Sequence, residues 1–578
     1  MTKPQPAPNL PPISLLWPPA EDAPRALAPR LGEQTAADLD LDTTVRALSA
    51  AHGHAREIRA ILLHLCDDPA VIRYRQDVID DLLAHPELAG GLEDLLPRLA
   101  ELNQYRFALR PGQTPLHEVV WRVGQLEAYV ECVQGLRAIF SAVDGALRAE
   151  AWQRLREQVE RIGADPLFQT LAAELPELVA SVRSIASVTI GVNLDDQLRP
   201  VEATLLAVNR KKFRGMSASL LGTLFGKNAP GAEWEGIAPL HSVPQKAAAT
   251  PFGAAVGVDL DNPMLYPLFR DLANVLKQTS RPVASALQRY VHVSSRALGD
   301  LAGELAFYLG AVALVARLRA AGLALCRPEI LPPEARVCVA SGTANLNLAL
   351  RLLAADPQAG LAETLVLNDV CFDDAGRVFI LTGPNQGGKT TYTQGAGLLH
   401  VLAQAGLPVP GTAAQISPVD GIFTHFPLEE QPESGAGRLG EEAARLNALF
   451  ERATRHSLVL LNESLASTSF SESLYLARDV VRILRLLGVR AVYATHLHEL
   501  AADVDALNAD PGGESTVASL VSLAAPAQDG GPVRQTYRIV PGPPRGMSYA
   551  RDIAARYGIS FDQLADLLRR RGLLRDES

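Results

Sequence analysis

Residues Gly383-Pro384-Asn385-Gln386-Gly387-Gly388-Lys389-Thr390 have the types and spacing needed to hold a polyphosphate. Gly383, Gly387 and Gly388 let the backbone bend until successive N–H groups face one concavity at the start of a helix, which makes an anion site. Lys389 then supplies a cation for β- and γ-phosphates, and the Thr390 hydroxyl a ligand for Mg²⁺, with Thr391 next in the same loop. A bare glycine turn is the alternative. The apolar run Val378-Phe379-Ile380-Leu381 before the octet and the helical pattern after it favour the phosphate loop.

Two further segments end in groups that such a loop needs. Ser457-Leu458-Val459-Leu460-Leu461-Asn462-Glu463 reads as a buried strand that delivers a carboxylate, Glu463, to orient or deprotonate a water beside a γ-phosphate. Elsewhere the same run would be an ordinary core strand with a solvated end. Asn462 stands where an Asp usually steadies the Mg²⁺ ion through its water shell. An amide oxygen still accepts a hydrogen bond from water but brings no negative charge, so weaker Mg²⁺ retention and slower hydrolysis are expected. The third segment, Val489-Arg490-Ala491-Val492-Tyr493-Ala494-Thr495-His496, offers His496 as a γ-phosphate sensor. Two readings compete with it: a capped loop histidine, or a metal cluster with His498 and Glu499. Asn385 is a candidate for holding the attacking water.

The elements that must position these groups follow from composition and periodicity. A chain of 578 residues with 48% apolar content is globular and too long for one core. Cys66, Cys132, Cys326, Cys338 and Cys371 are far apart, which fits reduced core thiols in a cytoplasmic protein rather than a disulfide frame or zinc site. No secretory signal is visible, and the apolar stretch Leu305 to Ala316 is too short to span a bilayer before Arg317 interrupts it, so no membrane is expected. A net charge of −10 argues against a surface coated for nucleic acid but leaves room for a local basic patch. Residues 1–35, rich in Pro and Ala, read as a loosely attached arm, and residues 36–189 as packed helices. An insertion with β character over 190–265 includes an extended segment at Val201 to Val208; helices resume over 266–327. From 328 to 560 strands alternate with helices as in a doubly wound α/β domain, with Ala506 to Asp529 an irregular loop, and 561–578 form a final helix in which Arg569, Arg570 and Arg571 complement the C-terminal dipole.

Leu381 to Tyr392, Val409-Pro410, Ile422-Phe423-Thr424, Leu458 to Glu463 and Ala494 to Leu500 follow in the order and spacing of the MutS family of DNA mismatch-repair ATPases, which this chain resembles over about residues 360 to 500. The helices and insertion before that stretch are similar in layout to the family's lever and clamp domains. The resemblance implies a multidomain protein: an α-helical lever with a partly β clamp-like insertion, then an α/β P-loop ATPase of ABC type. It also implies that the protein works as a dimer, each ATP closed in by a signature loop from the opposite subunit, with DNA as the ligand of the clamp. On this reading Gly383, Pro384, Asn385, Gln386, Gly387, Gly388, Lys389, Thr390 and Thr391 hold ATP, Thr390 and Asn462 hold Mg²⁺, and Glu463 and His496 serve hydrolysis.

The departures are specific. The signature serine is replaced by Gly437 unless Ser434 takes over, and Arg438 is either a cation for the partner's γ-phosphate or a solvated arginine before a helix whose Glu441 and Glu442 suit its N-terminal dipole. The family's amino-terminal mismatch-reading domain is not recognisable. DNA contact would fall to Arg210, Lys211, Lys212 and Arg214 in the insertion, as sequence-independent phosphate neutralisation of duplex or branched DNA, with an ordinary solvated turn as the alternative. The expected function is therefore an ATP-driven, dimeric DNA clamp in repair or recombination. The alternative is a nucleotide-gated scaffold that hydrolyses poorly because of Asn462 and Gly437.

Overall fold

Mostly apolar runs, Val378–Thr382, Leu458–Asn462 and Arg490–Ala494, are buried along their whole length and form neighbouring parallel strands. A parallel sheet is covered on both faces, so its strands need no polar alternation. The computed structural model describes residues 13–19, 30–104, 115–143, 145–183, 187–209, 211, 214–215, 235–236, 286–287, 290, 296–427, 438–525, 534–544, 557–571 and 573. The chain divides into two compact units, one of Met1–Pro11, Asp94–Ala142 and Arg156–Ala302, the other of Pro12–Glu93, Val143–Leu155 and Gly303–Ser578.

In the first unit, helix Pro115–Ala142 packs on helix Pro166–Arg183. The buried Val133, Leu136 and Leu171 contribute to this core, and Tyr129 meets Phe168 edge-on with ring centroids 6.0 Å apart. An antiparallel hairpin follows, Ser187–Leu194 with Pro200–Asn209. Its turn is closed by Asp195, whose Oδ1 accepts from the N–H groups of Gln197 (2.9 Å) and Arg199 (2.8 Å). The extended segment expected at Val201 to Val208 is the second of these strands.

The second unit is built on a six-stranded sheet in the order Ile422–His425, Leu458–Asn462, Arg490–Ala494, Val378–Thr382, Val517–Ala525, Arg534–Pro541. The first five strands are parallel and the last is antiparallel. Val459, Leu461, Ala491 and Tyr493 share a core with Leu446 and Leu449 of helix Arg438–Phe450 and with Ala477, Val481 and Leu484 of helix Phe470–Leu487. Leu460, one residue out of step with Val459 and Leu461, points to the opposite face. There helix Lys389–Gln404 comes so close that a Cβ on Gly397 would lie 2.9 Å from Leu460 Cδ1 and 2.6 Å from Leu39 Cδ2. A smaller mixed sheet runs Glu329–Ile330, Ala413–Ile416, Cys338–Thr343, Asn368–Phe372.

Several expectations are corrected. The described parts of residues 1–35 are not loosely attached: Leu15 and Leu16 are buried, and Thr35 Oγ1 bonds Ile422 O at 3.3 Å. Prolines there misled the reading because the anchoring groups, Ser14 Oγ to Glu304 Oε1 at 2.7 Å among them, are far away in sequence. The compact unit that holds the α/β sheet also takes in residues Pro12–Glu93 and Val143–Leu155. Ala506 to Asp529 is not one irregular loop; it contains most of helix Val504–Ala509 and the strand Val517–Ala525, whose Ala and Ser residues hid its buried Val517, Leu520 and Val521. Cys371 is exposed and Cys326 partly so, whereas Cys66, Cys132 and Cys338 are buried. Helix Arg296–Ala320 is long and apolar enough to cross a membrane by composition, yet 67% of its most apolar window is buried inside the protein, which suits a core helix.

Candidate nucleotide-binding site

Strand Val378–Thr382 ends at Gly383, whose φ of +143° brings the chain within reach of strand Val517–Ala525; a Cβ there would lie 2.7 Å from Ser522 Cβ. Ser522 Oγ donates to Gly387 O at 2.6 Å and braces the loop from the side. Gly388, at φ +89°, then admits helix Lys389–Gln404 in the left-handed geometry that glycine adopts without strain. The first N–H groups of this helix have no partners within it, so the helix start favours an anion.

Lys389 opens the helix, is 6% exposed, and folds back along the loop. Its Nζ donates to Gly383 O at 3.1 Å and Pro384 O at 3.2 Å, and lies 3.8 Å from Glu463 Oε1. Burial lowers its pKa, with Glu463 pulling the other way. Thr390 Oγ1 donates to Asn462 Oδ1 at 3.1 Å, so the last residue of strand Leu458–Asn462 sits beside the second residue of the helix. Glu463 follows at φ +49° with its N–H on Ala494 O at 2.8 Å. Glu463 Oε2 lies 2.7 Å from His496 Nδ1, and this hydrogen bond raises the imidazole pKa. His498 does not share a strand with His496: it starts helix His498–Ala502, and burial lowers its pKa.

Lys389, Thr390 and Glu463 line a cavity of about 640 Å³, within the usual size range of small-molecule sites. Its lining includes polar groups of Asn385, Gln386, Lys389, Thr390, Thr391 and Glu463 and the larger apolar or aromatic side chains of Leu348, Leu352, Val370 and Tyr537. Polar groups for phosphates together with apolar surface for a base suit a nucleotide. For Mg²⁺ the protein offers two neutral oxygens, Thr390 Oγ1 and Asn462 Oδ1. Hard oxygen donors suit the ion, with the balancing charge left to the phosphates.

Sequence reasoning missed three residues here. Asn345 caps helix Leu346–Ala355 by accepting from Leu348 N at 3.0 Å and ties the cap to the site by donating to Thr391 O at 2.8 Å. An Asn before a periodic apolar run is a readable cap signal. Ser522, which braces the loop at Gly387 O, and Tyr537, which lines the cavity, carried no such signal, because they arrive from strands on either side of an Ala- and Pro-rich stretch. Among the remaining expected residues, Ser434, Gly437, Arg210 and Lys212 lie outside the described residues. Arg438 is placed only as the first residue of its helix, and Arg214 only by its backbone, paired with Glu235. Lys211 is exposed, its carbonyl accepting from Ser187 Oγ at 2.5 Å.

Residues 67–321 match the family model of the MutS2 N-terminal domain, and residues 379–542 that of MutS domain V, which spans the phosphate loop and the strands that lead into Glu463 and Thr495. The chain belongs to the MutS family. It is 29% identical over 479 residues to the DNA mismatch repair protein MutS of Granulibacter bethesdensis, covering 80% of this chain and 49% of that protein. It is 26% identical over 462 residues to the MutS of Chlorobium chlorochromatii, covering 74% and 48%. The DNA mismatch repair protein MutS 2 of Halobacterium salinarum is 38% identical over 143 residues, 25% of this chain and 17% of that one. This MutS-family chain thus spans about half the length of the relatives it matches most extensively.

Proposed function

We propose that this MutS-family chain is a DNA-binding ATPase, an ATP-driven dimeric clamp that acts in DNA repair or recombination without itself reading a mismatch. The observation that carries the proposal is that Lys389, Thr390 and Glu463 line one cavity at a helix N-terminus, with Asn462 bonded to Thr390 and His496 to Glu463. Lys389 and the loop N–H groups hold the β- and γ-phosphates. Mg²⁺, held by Thr390 and through water by Asn462, would neutralise phosphate charge. Asn385 helps to place the attacking water, and Glu463 orients it or takes its proton while His496 fixes the other carboxylate oxygen. Relatives named DNA mismatch repair proteins support DNA as the ligand, and a cytoplasmic location follows from that role.

A second reading rests on one contact. The group beside Thr390 Oγ1 is an amide at 3.1 Å, not a carboxylate, which favours a nucleotide-gated scaffold with slow turnover. ATP hydrolysis measured with no DNA and with duplex, mismatched and branched DNA separates the two. Turnover stimulated by duplex or branched DNA, and no more by a mismatch, is the expected result. ATP binding with no turnover under any condition would leave the scaffold, and no ATP binding at all would overturn both readings.

A further inference from the structure

We infer that His425 is a positioning residue for Glu463, acting through Ser464; the inference rests on the proposal that Glu463 serves ATP hydrolysis. Glu463 and Leu465 both have left-handed backbones, with φ of +49° and +63°, and neither is glycine. Each such conformation costs on the order of 1 kcal/mol, so the turn persists only where its surroundings hold it. The same φ decides where the Glu463 carboxylate goes.

Four side chain or backbone groups hold this turn. Glu463 N bonds Ala494 O at 2.8 Å, Tyr493 Oη donates to Ser464 O at 2.9 Å, and Ser473 Oγ donates to Leu465 O at 2.7 Å. The fourth is the Ser464 side chain, wedged between the two strained residues. Its Oγ donates to His425 O at 3.1 Å and lies 2.7 Å from His425 Nδ1. The ring nitrogen and the hydroxyl share this shorter hydrogen bond, and which of the two gives the proton follows the tautomer of the ring. His425 is 2% exposed and Ser464 4% exposed. Burial, with Arg445 adding to it, pushes the His425 imidazole down to about 4, so the ring stays neutral and this pairing does not titrate near neutral pH.

His425 ends strand Ile422–His425, and the next residue, Phe426, accepts from both Nη1 and Nη2 of Arg445 at 3.2 Å. Arg445 belongs to helix Arg438–Phe450. The pair of residues 425–426 therefore ties that helix on one side to the turn that sets Glu463 on the other. A movement of the helix would reach the carboxylate through two hydrogen bonds to Ser464.

The test compares steady-state ATP hydrolysis and ATP affinity of the full chain with those of His425→Ala, Ser464→Ala and His425→Asn, whose side-chain amide can give or accept a hydrogen bond at the Ser464 hydroxyl. We expect kcat to fall about tenfold in both alanine variants with ATP Kd unchanged within about twofold, and His425→Asn to recover most of kcat. Ser464→Ala removes one oxygen and keeps the test open if His425→Ala does not fold. Unchanged kcat in Ser464→Ala overturns the inference. So does a parallel loss of kcat and ATP affinity that His425→Asn does not repair, since packing alone would produce it. A native chain that binds ATP but never turns it over would overturn the ATPase reading and this inference together; turnover that Glu463→Gln abolishes and Ser464→Ala spares sinks only the inference.

Discussion

Thr390 Oγ1 donates to Asn462 Oδ1 at 3.1 Å, which puts a neutral amide beside the hydroxyl proposed to hold Mg²⁺. Asn462→Asp changes this contact by one atom and adds a charge at a residue that is 6% exposed. The variant should need about tenfold less Mg²⁺ for half-maximal turnover, equivalent to about 1.4 kcal/mol, and should hydrolyse ATP faster at limiting Mg²⁺. A Mg²⁺ titration of turnover checks this. An unchanged midpoint would mean that the amide is not what limits the ion.

Lys389→Ala removes the buried ammonium that lies over the loop carbonyls of Gly383 and Pro384. ATP affinity should fall by at least about tenfold, or 1.4 kcal/mol, because no other described lysine lines the cavity. Equilibrium binding of a fluorescent ATP analogue to the folded variant is the measurement. Native-like affinity would place the nucleotide elsewhere.

Glu463 raises the pKa of His496 above its ordinary 6.5, so this pair stabilises the fold fully below the unfolded-state value and loses that contribution as pH rises through the raised one. A titration of the His496 ring by NMR should show the elevated value, and Glu463→Gln should bring it back toward 6.5. If the ring titrates at its ordinary value in the native chain, the carboxylate is not its partner in solution.

The phosphate loop and the strands ending at Asn462 and Ala494 were legible because parallel strands are read from short uninterrupted apolar runs and the loop from fixed glycine spacing. Strand Val517–Ala525 was not, since its Ala and Ser residues resemble a loop and only pairing with Val378–Thr382 makes it a strand. The role of the first segment was hidden for a different reason. Ser14, Leu15 and Leu16 are anchored by Glu304, Tyr74, Tyr308 and Arg75, tertiary partners that no local pattern announces. In the site, Glu463 and His496 could be named separately, but their 2.7 Å contact depends on the register of two neighbouring strands.

Gln404, fully buried at the end of helix Lys389–Gln404, gives Nε2 to Cys66 O at 2.7 Å and Val419 O at 2.9 Å, and accepts from Val419 N at 2.9 Å. Gln404→Leu keeps the bulk and strands three backbone groups, so it should cost about 3 kcal/mol or more in a urea unfolding experiment. Gln415→Leu, at an exposed residue bonded to Glu329 at 2.7 Å, should cost less than about 1 kcal/mol. Equal losses at the two positions would show that the buried network is not what holds these loops to the helix.

Lys211 is exposed at the end of the hairpin formed by Ser187–Leu194 and Pro200–Asn209, next in sequence to Arg210 and Lys212. Its backbone is held by Ser187 Oγ, so its ammonium can be changed without disturbing the strand pairing. If the cluster neutralises DNA phosphates, Lys211→Glu with Lys212→Glu should weaken duplex binding about equally for unrelated sequences. The slope of log affinity against log salt should fall by roughly one unit per phosphate contact removed. Binding titrations at several salt concentrations with two duplexes of different sequence check both points. Affinity and slope that both stay at native values would make the cluster a solvated turn, and the DNA contact would have to be sought on another surface.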